Sequence, residues 1–190
     1  MRFRVMLVAL GLSLTSWITL LAQEKKEETK VQAAAWPAAN PKDVESLDAI
    51  LAAVYDVISG PAGDRDWNRF RSLFVPEGRL VPIRKNADGS FVHQVLSVDD
   101  YANRAGDFFK KEGFFEKEIS HKTDRFGQLA VVFTTYGSWH TADMNEKPFA
   151  RGINSIQLLN DGTRWWIVTV YWQAERPDTP LPPQYLKKPR

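Results

Sequence analysis

Apolar positions recur at helical spacing in the first half of the chain and at alternating spacing in the second. Leu47, Ile50, Leu51, Val54 and Ile58 predict the buried stripe of a helix over Asp43–Ser59. Asn40-Pro41-Lys42-Asp43 opens it with a capping side chain, a proline at the first helical position and an acid. Gly60-Pro61-Ala62-Gly63 ends it. Trp67, Phe70 and Phe74 share a face of a second, short helix over Asp66–Phe74. GRLVPIR reads as a strand in which Pro82 marks an edge or bulge. FVHQVL is its short return, after a turn at Asn86–Gly89. Ser97-Val98-Asp99-Asp100 is a capping box that predicts a third helix to about Glu112. Four long strands follow: FFEKEISHKTDRF, LAVVFTTYGSWHTAD, FARGINSIQLL and TRWWIVTVYWQAE. Turn chemistry at Gly127, Asn145–Pro148 and Asn160-Asp161-Gly162 joins them. The proline-rich end, RPDTPLPPQYLKKPR, is expected to run extended over the surface.

This order predicts an α+β fold with three helices on one face of a curved antiparallel sheet. The last strand then poses a problem, because it is apolar on both faces. Simple alternation puts Trp166, Val168, Val170 and Trp172 on one side and Trp165, Ile167, Thr169 and Tyr171 on the other. Helices cover one side. For the other, a second copy of the chain is expected, a homodimer through the sheet on the face of Trp166, Val168, Val170 and Trp172 or, in the reverse assignment, on that of Trp165, Ile167 and Tyr171, with the proline-rich tail as the alternative cover.

The amino-terminal pattern is of another kind. Arg2 and Arg4 precede an uncharged apolar run from Val5 to Ala22, which breaks off at the charged EKKEETK. Residues 1–22 read as a signal peptide, 23–39 as a flexible linker, 40–176 as the folded domain and 177–190 as the tail. The expected location is periplasmic or secreted, and a membrane enters only if the leader stays uncleaved as an anchor. Without Arg2 and Arg4 the 25 basic residues become 23, equal to the 23 acidic ones. No basic stripe interleaved with aromatics is present, which argues against a nucleic-acid partner. The absence of cysteine excludes disulfides and thiolate chemistry.

Three features resemble the nuclear transport factor 2-like superfamily: Tyr55 on a helix followed by Gly63-Asp64, Ser72-Leu73-Phe74 closing a short helix, and the ending Asp161-Gly162-Thr163-Arg164-Trp165-Trp166-Ile167-Val168. Within it, the chain resembles the exported bacterial proteins of the SnoaL-like group. The resemblance covers about Asp43 to Ala174. It implies a cone whose bent sheet and helices enclose a pocket, and often a dimer through the outer face of the sheet. It does not imply an activity, since the superfamily mixes enzymes and scaffolds. Isomerase-like relatives use a tyrosine on the first helix and an aspartate on the strand after the second. Tyr55 matches the first position, but Pro82 falls at the second and exchanges no proton, which argues against isomerase chemistry.

Alternation along the first long strand places His121 and Arg125 with Ile119, which points both into the pocket if Ile119 faces inward. Arg151 shares a face with Ile153, and a buried arginine there needs an anion such as Glu116, Glu118 or a bound carboxylate. Asn154 shares the opposite face with Ile156. The candidate ligand-binding residues are Tyr55, His121, Arg125, Tyr136, Asn154 and Tyr171. His93, His121 and His140 lack the close spacing of metal ligands, so no metal and no cofactor is expected. The reading favoured by these residues is an exported protein that binds a small, partly apolar molecule, without assigned catalysis. One alternative is a hydrolase or dehydratase with His121 as base and Tyr55 or Tyr136 as donor. Another is a non-catalytic dimeric interaction module, the reading favoured by a pocket under the ~300 Å³ usual for ligand sites.

Overall fold

The computed structural model describes residues 36–187, so the segment expected to be a signal peptide and most of the expected linker lie outside the described residues. The first helical pattern is realised as two helices, α1 (Pro41–Val44) and α2 (Leu47–Ile58). The break is a second cap within the pattern. Ser46 turns extended and its side chain accepts from the Ala49 amide, as Asn40 accepts from that of Lys42. Asp66 caps α3 (Trp67–Ser72), and the reciprocal bonds of Ser97 and Asp100 open α4 (Val98–Phe109).

The strands are β1 (Phe74–Lys85), β2 (Phe91–His93), β3 (Leu96–Ser97), β4 (Phe115–Phe126), β5 (Leu129–Trp139), β6 (Ala150–Asn160) and β7 (Trp165–Ala174). They form one seven-stranded sheet in the order β2-β1-β7-β6-β5-β4, with β3 paired to β1. β4 to β7 are the expected antiparallel meander, whereas β1 returns parallel to β7. Pro82 is therefore not on an edge strand. It lies where the antiparallel partner is interrupted between β2 and β3, and Gln94 donates to its carbonyl at 3.3 Å.

Two bulges change which side chains face the helices. In β4 the register moves from Glu118 opposite Tyr136 to Ser120 opposite Thr135, leaving Ile119 as the extra residue. In β7 it moves from Thr169 opposite Gln157 to Ile167 opposite Leu158, leaving Val168 as the extra residue. One inserted residue reverses the alternation beyond it. Trp165, Ile167 and Val170 are thus all buried on the inner face, and Trp172 joins them against Tyr101 of α4. Trp166 and Tyr171 look outward with Leu159 and Ser155. This corrects the face expected to carry a dimer: Val170 and Trp172 belong to the interior, and no single face holds Trp166, Val168, Val170 and Trp172 together.

The core lies between the helices and this inner face, around the fully buried Ile50, Phe70, Leu73, Phe74, Ile156 and Ile167. The outer face is covered in part by the chain's own tail. Pro180, Leu181 and Pro182 run past Phe133, Ile153 and Tyr171. The Tyr185 carbonyl accepts from Ser120 Oγ at 2.7 Å and from Thr135 Oγ1 at 2.6 Å, while its ring packs on Phe133. Glu175 anchors the start of the tail, accepting both from Arg151 and from the Leu181 amide. The anion that Arg151 requires is thus Glu175 rather than Glu116, Glu118 or a ligand.

Candidate functional site

A cavity of about 230 Å³ opens between α2, α4 and the inner face of the sheet. Its walls are mostly apolar, and six polar side chains reach it: Tyr55, Tyr101, Glu116, Tyr136, Ser138 and Asn154. Phe149, about half exposed, marks the opening, where His140 stacks on it at 4.1 Å.

Glu116 is set in place by the junction of α2 with β4. Gly60 and Phe114 exchange backbone hydrogen bonds at 2.7 and 3.0 Å. Ser59 Oγ donates to the Tyr55 carbonyl at 2.7 Å and accepts from the Glu116 amide at 2.9 Å. The Glu116 side chain then lies inward beside its cross-strand partner Ser138, whose hydroxyl donates to Oε2 at 2.8 Å. Among the described residues Oε1 has no partner. Burial pushes this carboxyl up to about 7, against the smaller lowering influence of the Ser138 hydrogen bond. Tyr101 and Tyr136 are raised by burial first and by the nearby Glu116 charge second, so both remain phenols at neutral pH. Neither hydroxyl has a protein partner among the described residues. Room for Tyr136 comes from Gly152 opposite it, where a Cβ would stand 2.5 Å from the tyrosine oxygen.

Tyr55 is bound within the protein. Its hydroxyl lies 3.0 Å from Thr134 Oγ1 and accepts from Asn154 Nδ2 at 3.0 Å. Burial is the main cause of its raised pKa. Tyr55 and Glu116 also border a second space, a groove of about 700 Å³ between α2 and β4.

The structure brings three of the expected site residues together, Tyr55, Tyr136 and Asn154, all in the cavity wall. The other three lie elsewhere. His121 faces the helix side of the sheet, but in the groove, where Nδ1 lies 2.7 Å from Glu118 Oε1. Arg125 sits over the Trp165 ring and donates to the Gly127 carbonyl at the hairpin turn. At the usual strand rise it is about 30 Å along β4 from Glu116. Tyr171 is turned to the outer face by the β7 bulge and stands beside the tail, 44% exposed. Tyr101, Glu116 and Ser138 are the polar cavity residues that sequence reasoning did not place there, and Glu116 was assigned to the wrong face. Alternation anchored on Ile119 puts Glu116 and Glu118 on the opposite face, and nothing local in FFEKEIS marks the bulge that reverses it. Among the described residues no group of three histidine or acidic side chains is placed to hold a metal ion.

A bent sheet with helices across its inner face and a cavity at the open end is the nuclear transport factor 2-like cone, and the chain has this fold. An uncharacterized protein with a cystatin-like fold from Caulobacter vibrioides superimposes with a TM-score of 0.51 at 16% identity, over 70% of this chain and 90% of that one. A protein of unknown function with a cystatin-like fold from Nostoc punctiforme gives 0.51 at 8% identity, over 69% and 90%. An NTF-2 like protein of unknown function from Silicibacter pomeroyi gives 0.48 at 14%, over 69% and 94%. The first two superpositions establish fold and not activity. No protein-family model and no curated protein matches the chain.

Proposed function

We propose that this protein binds a small molecule with an apolar body and one hydrogen-bonding end in the cavity between the helices and the sheet. The observation that carries this reading is the unpartnered polar set of Glu116 Oε1, Tyr101 and Tyr136 within apolar walls. Buried polar groups are normally paired, so a cluster left open toward a cavity is suited to a ligand's polar end. At about 230 Å³ the cavity falls below the ~300 Å³ usual for drug-sized ligands, which favours a molecule of about one ring. The volume alone would also suit the non-catalytic module. The unfilled polar set favours binding. The same reading includes export, from the Arg2 and Arg4 flank of the apolar leader. A mature chain beginning near Gln23 in the exported fraction, by mass spectrometry, is its expected sign.

Titration with phenol, cyclohexanol and benzene, followed by amide NMR, tests the cavity. Phenol is expected to shift resonances around Tyr136 and Phe149 and to bind more tightly than benzene. Ala150→Trp, which fills the opening, should abolish the shifts, and Glu116→Ala should remove the preference for phenol. Phenol shifts confined to the exterior, or unchanged by both variants, would overturn the proposal.

A second reading rests on Glu116 itself. A carboxyl brought to about 7 exchanges protons readily at neutral pH, and two phenols beside it can donate to developing negative charge. In this reading Glu116, not His121, is the acid–base group. The geometry suits proton transfer to or from a bound ligand. Carbon NMR of the Glu116 carboxyl is expected to show a midpoint near 7, and an ordinary glutamate value would remove the reading.

A further inference from the structure

The cavity and the groove are joined by an unbroken line of hydrogen bonds. Asn154 Nδ2 donates to Tyr55 Oη at 3.0 Å, Tyr55 Oη lies 3.0 Å from Thr134 Oγ1, and Thr134 Oγ1 donates to Glu118 Oε2 at 2.9 Å. His121 Nδ1 meets the other carboxylate oxygen, Oε1, at 2.7 Å. A threonine has one hydroxyl proton, and Glu118 receives it. The proton between Tyr55 and Thr134 is therefore the tyrosine's. Every hydroxyl in the line accepts at one side and donates at the other, in the single direction from Asn154 to Glu118.

The two ends of this line differ in solvent contact. Tyr55 and Thr134 are buried, at 6% and 0% exposure. The Glu118 and His121 side chains are 27% and 26% exposed in the groove. The groove also carries Asp48 and Asp56 from α2 and Glu116 and Lys117 from β4, with Asp56 ion-paired to Arg69 at 2.5 Å. The β4 bulge creates the connection. By inserting Ile119, it puts Glu118 and His121 on the same face although they are three residues apart.

We propose that Tyr55, Thr134 and Glu118 form a proton path between the cavity and groove water, with His121 as the positioning residue that holds Glu118 at its outer end. A proton given up by a cavity ligand bonds to Tyr55 Oη. The tyrosine's own proton passes to Thr134 Oγ1, the threonine's passes to Glu118 Oε2, and groove water takes it from the carboxyl. Each oxygen gains one proton and loses one, and the net change is one proton moved outward. The reverse sequence resupplies the cavity. His121 takes no part in the transfer; its bond to Oε1 keeps Oε2 turned to Thr134. The path rests on the binding reading and gives a cavity ligand a proton route that runs beside Glu116, the acid–base group of the second reading, rather than through it.

Exchange of the Tyr55 hydroxyl proton with water tests the path without any ligand, so that its failure is distinct from failure of the binding or acid–base readings. The proton is identified by NMR at low temperature through its loss in Tyr55→Phe. Glu118→Gln preserves an acceptor for Thr134 but takes up no proton there, and Thr134→Val cuts the line. Exchange is expected to slow at least tenfold in both. His121→Ala should slow it by a smaller factor, and His121→Gln, which can still donate to Oε1, should restore part of the rate. A wild-type signal too fast to observe that becomes visible in Glu118→Gln has the same meaning. Equal exchange rates in wild type, Glu118→Gln and Thr134→Val, or a signal too fast to observe in all three, would show that the proton leaves through the cavity and overturn the proposal. Glu118→Gln removes only a charge from the groove side, which keeps the test valid if Thr134→Val fails to fold.

Discussion

The two faces of the sheet bury polar groups in opposite ways. On the inner face Thr134 is fully buried and passes its hydrogen bonds along a line between a cavity and a groove. On the outer face its neighbour Thr135, equally buried, donates to a backbone carbonyl and ends there. Ser120, from β4, donates to that same carbonyl of Tyr185. Burial and satisfaction are alike on the two sides, so neither distinguishes a site from a strut. What differs is the destination: side chains that open on empty space inside, and main chain of the same molecule outside. The tail also supplies cover that the resemblance would assign to a second subunit.

The strongest way to break this comparison is to charge the two kinds of position in β7. Val170 is buried in the cavity wall, whereas Val168 is the half-buried bulge residue. Val170→Lys is expected to cost about 3–5 kcal/mol, the usual penalty of an uncompensated buried charge, and to unfold the domain or come close to it. Val168→Lys should cost under about 1 kcal/mol. Urea denaturation of the two variants decides it. Equal costs would mean that β7 alternates regularly and that the bulge assignment is wrong.

Removing the tail comes next. A chain ending at Glu175 loses the bonds of Ser120 and Thr135 to Tyr185, each worth about 1 kcal/mol, and the apolar packing on Phe133. A loss of about 2–3 kcal/mol is expected in thermal or urea unfolding. The uncovered Phe133, Ile153 and Tyr171 should bring self-association, seen by light scattering. A truncated chain that is as stable as the full one and self-associates no more than it does would make the tail an incidental cover.

The inner face has a smaller, pH-dependent signature. Burial raises Glu116 from an ordinary 4.5 to about 7 in the folded protein. In that interval the folded state holds more protons on Glu116 than the unfolded one, so the contribution of this group to stability is greatest below about 4.5, falls as pH rises to about 7 and is level above it. With solvent screening at the cavity opening, about 2 kcal/mol is a reasonable size for the whole change. Glu116→Gln should flatten this part of the profile while keeping the Ser138 bond. Urea midpoints between pH 5 and 8 measure it, and an unchanged slope in the variant would place the titration elsewhere.

The sequence carried the meander, its turns and the Ser97 capping box, because each is set by residues within a few positions of one another. Asn160-Asp161-Gly162 and Ser97-Val98-Asp99-Asp100 behave as local chemistry requires. The bulges at Ile119 and Val168 depend on register against β5 and β6, which no local pattern encodes. Their effect on the site was large for a one-residue change. They carried Glu116 and Glu118 to the inner face, drew Val170 and Trp172 into the interior and turned Tyr171 out. Tyr55 was legible from its family-like place on the first helix and Asn154 from the face it shares with Ile156 on β6, whereas no period along β5 singled out Tyr136. The Ser46 cap shows a subtler limit: the apolar stripe continues through it, while a single serine side chain decides that the helix restarts.

The finest contrast lies between adjacent residues. Valine has nearly the shape of threonine but lacks the hydroxyl, so Thr134→Val and Thr135→Val remove hydrogen bonds with little change of packing. At position 135 one bond to the Tyr185 carbonyl is lost, and Ser120 Oγ still serves that oxygen. The expected cost is about 1 kcal/mol, with Ser120→Ala adding more than its separate effect once the carbonyl has no donor left. At position 134 both Tyr55 and Glu118 lose a partner, and Tyr55, at 6% exposure, is left with Asn154 alone. Thr134→Val should therefore cost more than Thr135→Val, by about 1 kcal/mol, although the same atom is removed from neighbouring residues of one strand. Urea unfolding of both variants measures the difference. Equal costs would mean that the inner line of hydroxyls is no more demanding than the outer contact with the tail, and the distinction between the two faces would rest on the cavity alone.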